Sequence, residues 1–320
     1  MKPCCCKYIA FNNHLFKSFG MKLLRRLSLW LCLAIPQAWA AQPTITCSFT
    51  IPADWVQNLC GQDVKIQTLA GPNTDLHVFQ PGPAAARAVL SADLIVGIDP
   101  LLEPWLNELV ISNKLSDRVI WLGKPWISAH EGHKHGSHIC ASDPHIWTDP
   151  EIVQAMVEKL AAACAQLKGV NPAKLASQKD AYLKSIQELH RRLSADFAKI
   201  PAARRVVVTH HNNFGRFAER YGIKVAGVIL ESATTEAADP SAKHLAKLIQ
   251  QVRAERVSLI ICDRGERAPA AELLARETGL PSPVSINLDS LDKRGTRGDS
   301  WLGMMNEIAA ALITPWKEMQ

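Results

Sequence analysis

A regular alternation of short apolar runs with longer helical patterns constrains the fold of this chain more than any other feature. Strand-like runs lie at 44–50, 64–70, 93–98 and 118–122, and again at 205–209, 224–230, 257–263 and 283–288. Most are continuous apolar stretches too short for helices, as expected of strands covered on both faces of a parallel sheet. Helical patterns separate most of them, which predicts an α/β architecture. Two groups of four strands predict two lobes, each a mostly parallel sheet flanked by helices. Between the groups, residues 172–200 keep a helical period with many charges and no internal Pro or Gly. That stretch reads as one helix of about 40 Å at 1.5 Å per residue. Pro172 suits its first turn and Pro201 its stop, so it is expected to join the lobes as a rigid connector.

The first forty residues read as a targeting segment rather than as fold. Met21 is followed by Lys22, Arg25 and Arg26, an apolar run from Leu27 to Ile35, and Ala38-Trp39-Ala40 at the expected cleavage site. The run is too short to span a bilayer. Translation is expected to start at Met1 or Met21, and Cys32 lacks the setting of a lipid-anchor cysteine. Residues 1–40 hold Lys2, Lys7, Lys17, Lys22, Arg25 and Arg26 and no acid. Without them the 36 basic residues fall to 30, equal to the 30 acidic ones. The basicity therefore belongs to the leader and gives no reason to expect a nucleic-acid partner. The expected location is the periplasm. There disulfides are permitted, and Cys47, Cys60, Cys140, Cys164 and Cys262 would remain after cleavage. Their wide spacing is not that of a structural zinc site, and their pairing stays open. Five is odd, and Cys262, inside an apolar run, is the expected buried leftover.

Four potential metal ligands share one address. His77 follows the second strand, His145 the fourth, His211 the fifth and Asp289 the eighth, each at or beyond a carboxyl end, where open α/β sheets bind ligands. Two come from each lobe, which would set a metal in the cleft between them. Three imidazoles and a carboxylate suit tetrahedral Zn2+; Mn2+, the alternative, prefers more oxygen. A fully protein-liganded ion leaves no open position for a catalytic water, so carriage rather than catalysis is expected, and no enzyme activity. His210 is the rival of His211, and Asp263 and Glu231 are the rivals of Asp289. Asp149, Pro150 and Glu151 read as a helix start after His145. Asn212 or Asn213 is expected to cap a helix over 214–221 that Gly222 ends. Asp75, Asp143 or Asn212 would orient the imidazole rings.

Residues 128–142 form a loop carrying His130, His133, His135 and His138, expected to bind metal weakly and apart from the cleft. His130-Glu131-Gly132-His133 imitates the start of a zinc-protease motif. The motif's second histidine would fall at Lys134, however, and the glycines oppose a helix there. No Gly-rich phosphate loop and no G-x-S-x-G elbow is present.

Taken together, these segments resemble the zinc/manganese solute-binding proteins of ABC importers, the ZnuA/TroA-like (cluster A-I) family. The resemblance rests on four ordered motifs. The first runs from Cys47 through Asp75-Leu-His-Val-Phe-Gln-Pro and Ala92-Asp-Leu-Ile-Val-Gly to Leu102-Glu-Pro-Trp-Leu. The second is Asp143-Pro-His-Ile-Trp-Thr-Asp-Pro, and the third His211-Asn-Asn-Phe-Gly-Arg-Phe-Ala-Glu-Arg-Tyr-Gly. The fourth is Asp289-Ser with Gly298-Asp-Ser-Trp. The resemblance implies two α/β lobes (41–171 and 201–320) joined by a helix (172–200), a metal held between them, and transfer to an ABC permease of the inner membrane by a monomer. The His-rich loop, found in zinc-specific members, favours zinc over a manganese receptor. Two departures stand out: the third motif begins His-His, and Asp263 stands where Glu is common. The competing readings are a periplasmic zinc buffer or metallochaperone without an importer, and a secreted zinc hydrolase, for which no base or open coordination position is found.

Overall fold

In the computed structural model the chain is described for residues 42–76, 78–127, 143–230, 240–264 and 268–319. All eight expected strands form, trimmed at their ends. β1 (Thr44–Cys47), β2 (Lys65–Thr68), β3 (Leu94–Gly97) and β4 (Val119–Trp121) make one sheet, in the order β2-β1-β3-β4. β5 (Val206–Thr209), β6 (Lys224–Val228), β7 (Leu259–Asp263) and β8 (Val284–Ile286) make the second, in the order β6-β5-β7-β8. Every pairing is parallel. The two sheets share one winding, a likeness between the lobes that leaves no repeat visible in the sequence. In each, the order reverses beside its first strand, and such a switch point opens a crevice at the carboxyl ends.

The first sheet carries α1 (Thr50–Cys60), α2 (Pro83–Leu90), α3 (Pro104–Ser112), the single turn α4 (Lys124–Ile127) and α5 (Pro150–Cys164). The second carries α7 (Gly215–Tyr221), α8 (Ala242–Ala254), α9 (Pro269–Thr278) and α10 (Trp301–Glu318). Between them in the chain runs α6 (Pro172–Ala198), 27 residues long. Asn171 caps α6 by accepting the N–H groups of Ala173 and Lys174, and Pro172 sits in its first turn. One stripe of α6, through Leu175, Tyr182, Ile186, Leu189, Leu193 and Phe197, is buried. It lies on α1 and α5 from the first lobe and on α7 and α10 from the second.

The alternation of side chains along the strands sorts the apolar residues into three cores. In β3, Leu94 and Val96 face inward while Ile95 joins Leu106 and Val110 outside. In β7, Leu259 and Ile261 face inward while Ile260 and Cys262 join Leu248 and Leu274 outside. The inner cluster is continuous across both lobes and includes α1, α5, α6, α7 and α10. Polar contacts stitch the same seam. Asp54 of α1 accepts from the Tyr182 hydroxyl at 3.3 Å and from the Trp301 N–H at 3.1 Å. The Thr50 hydroxyl accepts the Leu291 N–H at 2.7 Å. Cys262 is buried in the outer core of the second sheet, as expected, while Cys140 lies outside the described residues. No helix among the described residues is long and apolar enough to cross a membrane.

Candidate metal centre

Three side chains drawn from both lobes converge. His145 precedes a 3-10 turn at Ile146–Thr148, His211 follows β5, and Asp289 follows β8. Ligand atoms of the three lie within 4.8 Å of one another. His145 Nε2 is 3.6 Å from Asp289 Oδ1, and His211 Nε2 is 3.5 Å from Asp289 Oδ2. The two rings meet edge-on, with centroids 5.7 Å apart. Both imidazoles are fully buried, and the Asp289 side chain is 16% exposed.

The other nitrogen of each ring is held by a carboxylate. His145 Nδ1 is 2.8 Å from Asp143 Oδ1, which also accepts the His145 backbone N–H at 2.9 Å. His211 Nδ1 is 3.1 Å from Asp263 Oδ2. A ring held at Nδ1 presents Nε2 in a fixed direction, the usual preparation of a metal-binding histidine. Asn213 completes the frame, its amide donating to both oxygens of Asp263, at 3.0 and 3.1 Å, and to Asp289 Oδ2 at 3.2 Å.

The surroundings raise the basicity of both rings. Burial by itself pulls His211 down, but the Asp263 and Asp289 carboxylates on its two sides outweigh it, and its pKa is pushed up to about 12. For His145, burial likewise opposes, and Asp289 with Asp143 overcomes it, so its pKa is also raised. Carboxylates that stabilise an imidazolium equally stabilise a cation bound in place of the protons.

Backbone and packing fix the loops that carry these residues. Asp149 caps α5 by accepting the Glu151 N–H at 2.9 Å, with Pro150 in the first turn, as the sequence predicts. The Asp149 carboxylate also takes a two-pronged ion pair from Arg220 of α7, at 3.0 and 2.8 Å. Trp147 donates from Nε1 to the carbonyl of Leu288, at 2.7 Å, beside Asp289. Trp301 Nε1 in turn donates to the Trp147 carbonyl at 2.8 Å.

Some expectations are corrected. Helix α7 begins at Gly215, and neither Asn212 nor Asn213 caps it; the Asn213 amide is committed to the two carboxylates instead. The first N–H of the helix is taken at 3.1 Å by Asp143 Oδ2, from the other lobe. A Cβ at Gly215 would lie 3.0 Å from that oxygen, so this approach favours glycine. Gly222 does end the helix, in the left-handed conformation at φ 62°. Asp263 lies against Nδ1 of His211, and the rival ligands Asp263 and His210 form with His211 a second group able to hold a metal. His77, Glu231 and the loop histidines His130, His133, His135 and His138 lie outside the described residues. Sequence reasoning did not single out Trp147, Arg220 or the bridging amide of Asn213. Only the nearness of each to a motif histidine could have marked it.

A family model described as "Zinc-uptake complex component A periplasmic" (ZnuA) matches residues 45–314. The zinc-binding lipoprotein AdcA of Streptococcus pneumoniae is 24% identical over 269 residues, covering 81% of this chain and 53% of its own length. This chain thus spans about half the length of that relative. The metal ABC transporter substrate-binding lipoprotein SloC of Streptococcus mutans is 23% identical over 272 residues, covering 82% of this chain and 86% of that protein. Among solved structures, the periplasmic zinc binding protein TroA of Treponema pallidum superposes with a TM-score of 0.77 at 22% identity. The match covers 86% of this chain and 99% of TroA, and at that identity it speaks for the fold. With the family model spanning both sheets and the helix between them, this chain belongs to the ZnuA family.

Proposed function

We propose that this protein is the solute-binding component of an ABC metal importer, and that its cargo is Zn2+ held in the cleft by His145, His211 and Asp289, with His77 as the fourth ligand. The observation that carries this reading is the convergence of two Nε2 atoms on one carboxylate, each ring braced at Nδ1 by a second carboxylate. Two imidazole nitrogens with a carboxylate oxygen suit a borderline-soft dication. The AdcA and TroA relatives, named for zinc, support the same choice of cargo. Ligands drawn from both lobes make capture dependent on the lobes' closeness, which suits a carrier that must also release.

In this reading the protein works in the periplasm after loss of residues 1–40. Residues 41–171 and 201–320 form the two metal-binding lobes, 172–200 joins them, and the loaded monomer docks on an inner-membrane permease. Capture exchanges protons for metal: the ion replaces the Nε2 protons that Asp289 holds on the rings, while Asp143 and Asp263 keep both Nδ1 atoms in place. The test is calorimetric titration of the purified protein with Zn2+ and with Mn2+. The expected result is one tight Zn2+ event and weaker Mn2+ binding. Tighter Mn2+ binding would make the protein a manganese receptor, and the lack of any tight event would remove the transport reading.

A further inference from the structure

Three thiols that the metal centre does not use gather in the inner core. Cys47 ends β1, Cys60 ends α1 and Cys164 ends α5. All three are buried and none is in a disulfide. Helices α1 and α5 pack on each other, and the side chains of their final residues, Cys60 and Cys164, lie near enough to interact. That contact lowers the pKa of Cys60 and, together with burial, raises that of Cys164. Cys47 lies near both and is raised by burial. Among the described residues, the groups of three or more potential ligands within 4.8 Å of one another contain no cysteine, which sets a metal cage aside.

A buried thiol is a weak donor and a weak acceptor. Two thiols in contact at the ends of two packed helices gain little as a hydrogen bond, but they are placed for a covalent link. We propose that Cys60 and Cys164 form a disulfide under oxidising conditions, clamping the carboxyl ends of α1 and α5, while Cys47 stays a thiol beside it. Cys60, giving up its thiol proton, attacks an incoming disulfide of a dithiol–disulfide oxidant through its thiolate. One oxidant thiolate leaves, and a mixed disulfide remains. Cys164 then gives up its proton and attacks the Cys60 sulfur, expelling the second oxidant thiolate. A sulfur–sulfur bond forms, and two electrons and two protons pass to the oxidant, now two thiols. The burial of both residues places this step during folding, before the inner core closes. The link joins residues 104 apart in sequence, and a loop that long restricts the unfolded chain strongly.

The full chain is unfolded in reductant, then refolded either in a mixture of reduced and oxidised glutathione or in reductant alone. It is acid-quenched, alkylated and digested with trypsin and Asp-N. The second protease is needed because no Lys or Arg separates Cys47 from Cys60, whereas cleavage before Asp54 does. The expected map shows a Cys60–Cys164 linked pair and alkylated Cys47. In Cys47→Ser, reductant should lower the denaturation midpoint; in Cys60→Ser it should not. Cys60 and Cys164 both recovered alkylated or glutathionylated after oxidative refolding, or Cys47 recovered in the link, would overturn the proposal. The same map on protein from a periplasmic extract checks the export reading on its own. A pair that forms in glutathione but is absent from that extract would count against export and leave the disulfide standing.

Discussion

His145 and His211 are each held at Nδ1 by a carboxylate and aimed at Asp289 by Nε2, so substitutions at this site should fall into two grades. His145→Ala, His211→Ala and Asp289→Ala each remove a ligand and should weaken zinc binding by about 100-fold or more, read by competition with a chelator. Asp143→Asn and Asp263→Asn remove only the brace and should cost about 10–100-fold. A brace variant as damaging as a ligand variant would make that carboxylate a direct ligand. The raised basicity of His211 fixes the sign of the pH effect. With its pKa pushed up to about 12, the ring is a cation at neutral pH without metal, and coordination must displace a proton. Zinc binding at pH 7 should therefore release protons, and affinity should rise with pH through the neutral range. Titrations in buffers of different ionisation enthalpy measure the release; none at pH 7 would contradict the assignment. His211 and Asp289 could be singled out in the sequence because each follows a strand's carboxyl end, whereas His145 lies well beyond β4. The braces were only partly legible. Asp143 lies two residues from its histidine, whereas Asp263 lies 52 residues from His211 and reaches it only because β5 and β7 are neighbours.

Among the secondary-structure elements, the helix starts show how local chemistry and the meeting of the lobes combine. Asp149 behaves as its sequence context predicts, capping α5, and the same carboxylate receives Arg220 from α7. Asp149→Ala should remove a cap worth about 1 kcal/mol and a charge-assisted bond worth about 1.5–3 kcal/mol. The combined loss, roughly 2.5–4 kcal/mol, should appear as a lower denaturation midpoint at an unchanged slope. The start of α7 departs from the sequence expectation because its first N–H is satisfied from the other lobe by Asp143, a partner no local pattern reveals. Helix α3 offers a second test. Glu103, fully buried before its first turn, accepts the N–H groups of Ile98 and Asp99 at 2.8 and 2.9 Å. Burial raises its pKa from 4.5 to about 7. The folded state thus holds this proton more tightly than the unfolded chain, and stability is lost as pH rises from 4.5 to about 7. Glu103→Gln keeps the acceptor without the charge. The variant should gain on the parent between pH 5 and pH 7 by about 2 kcal/mol, and a gap that stays constant would contradict a buried acid at this position.

Across the whole molecule, the two sheets share a winding and one inner core, and α6 packs on helices of both lobes. Apolar runs alternating with helical period made the two sheets and α6 readable in advance. The shared core was not, because which face of a strand meets which helix depends on contacts far apart in sequence. In β3 the same short run, Leu94 to Val96, sends alternate side chains to different cores. A common core couples the lobes, so an ion that bridges them should stabilise the molecule as one unit. Zinc at 100 times its dissociation constant should add about 2.7 kcal/mol and raise a single unfolding transition without splitting it. Deleting residues 129–137 should leave that stabilisation and the tight binding event intact while removing weaker zinc binding. Loss of the tight event would give the loop a primary ligand. The position of the ion is read by anomalous diffraction at the zinc edge from crystals of the loaded protein. One strong peak is expected between the lobes, about 2.0–2.2 Å from Nε2 of His145, from Nε2 of His211 and from an oxygen of Asp289. A peak that omits any of these three, or that sits on His210 and Asp263 instead, would contradict that placement.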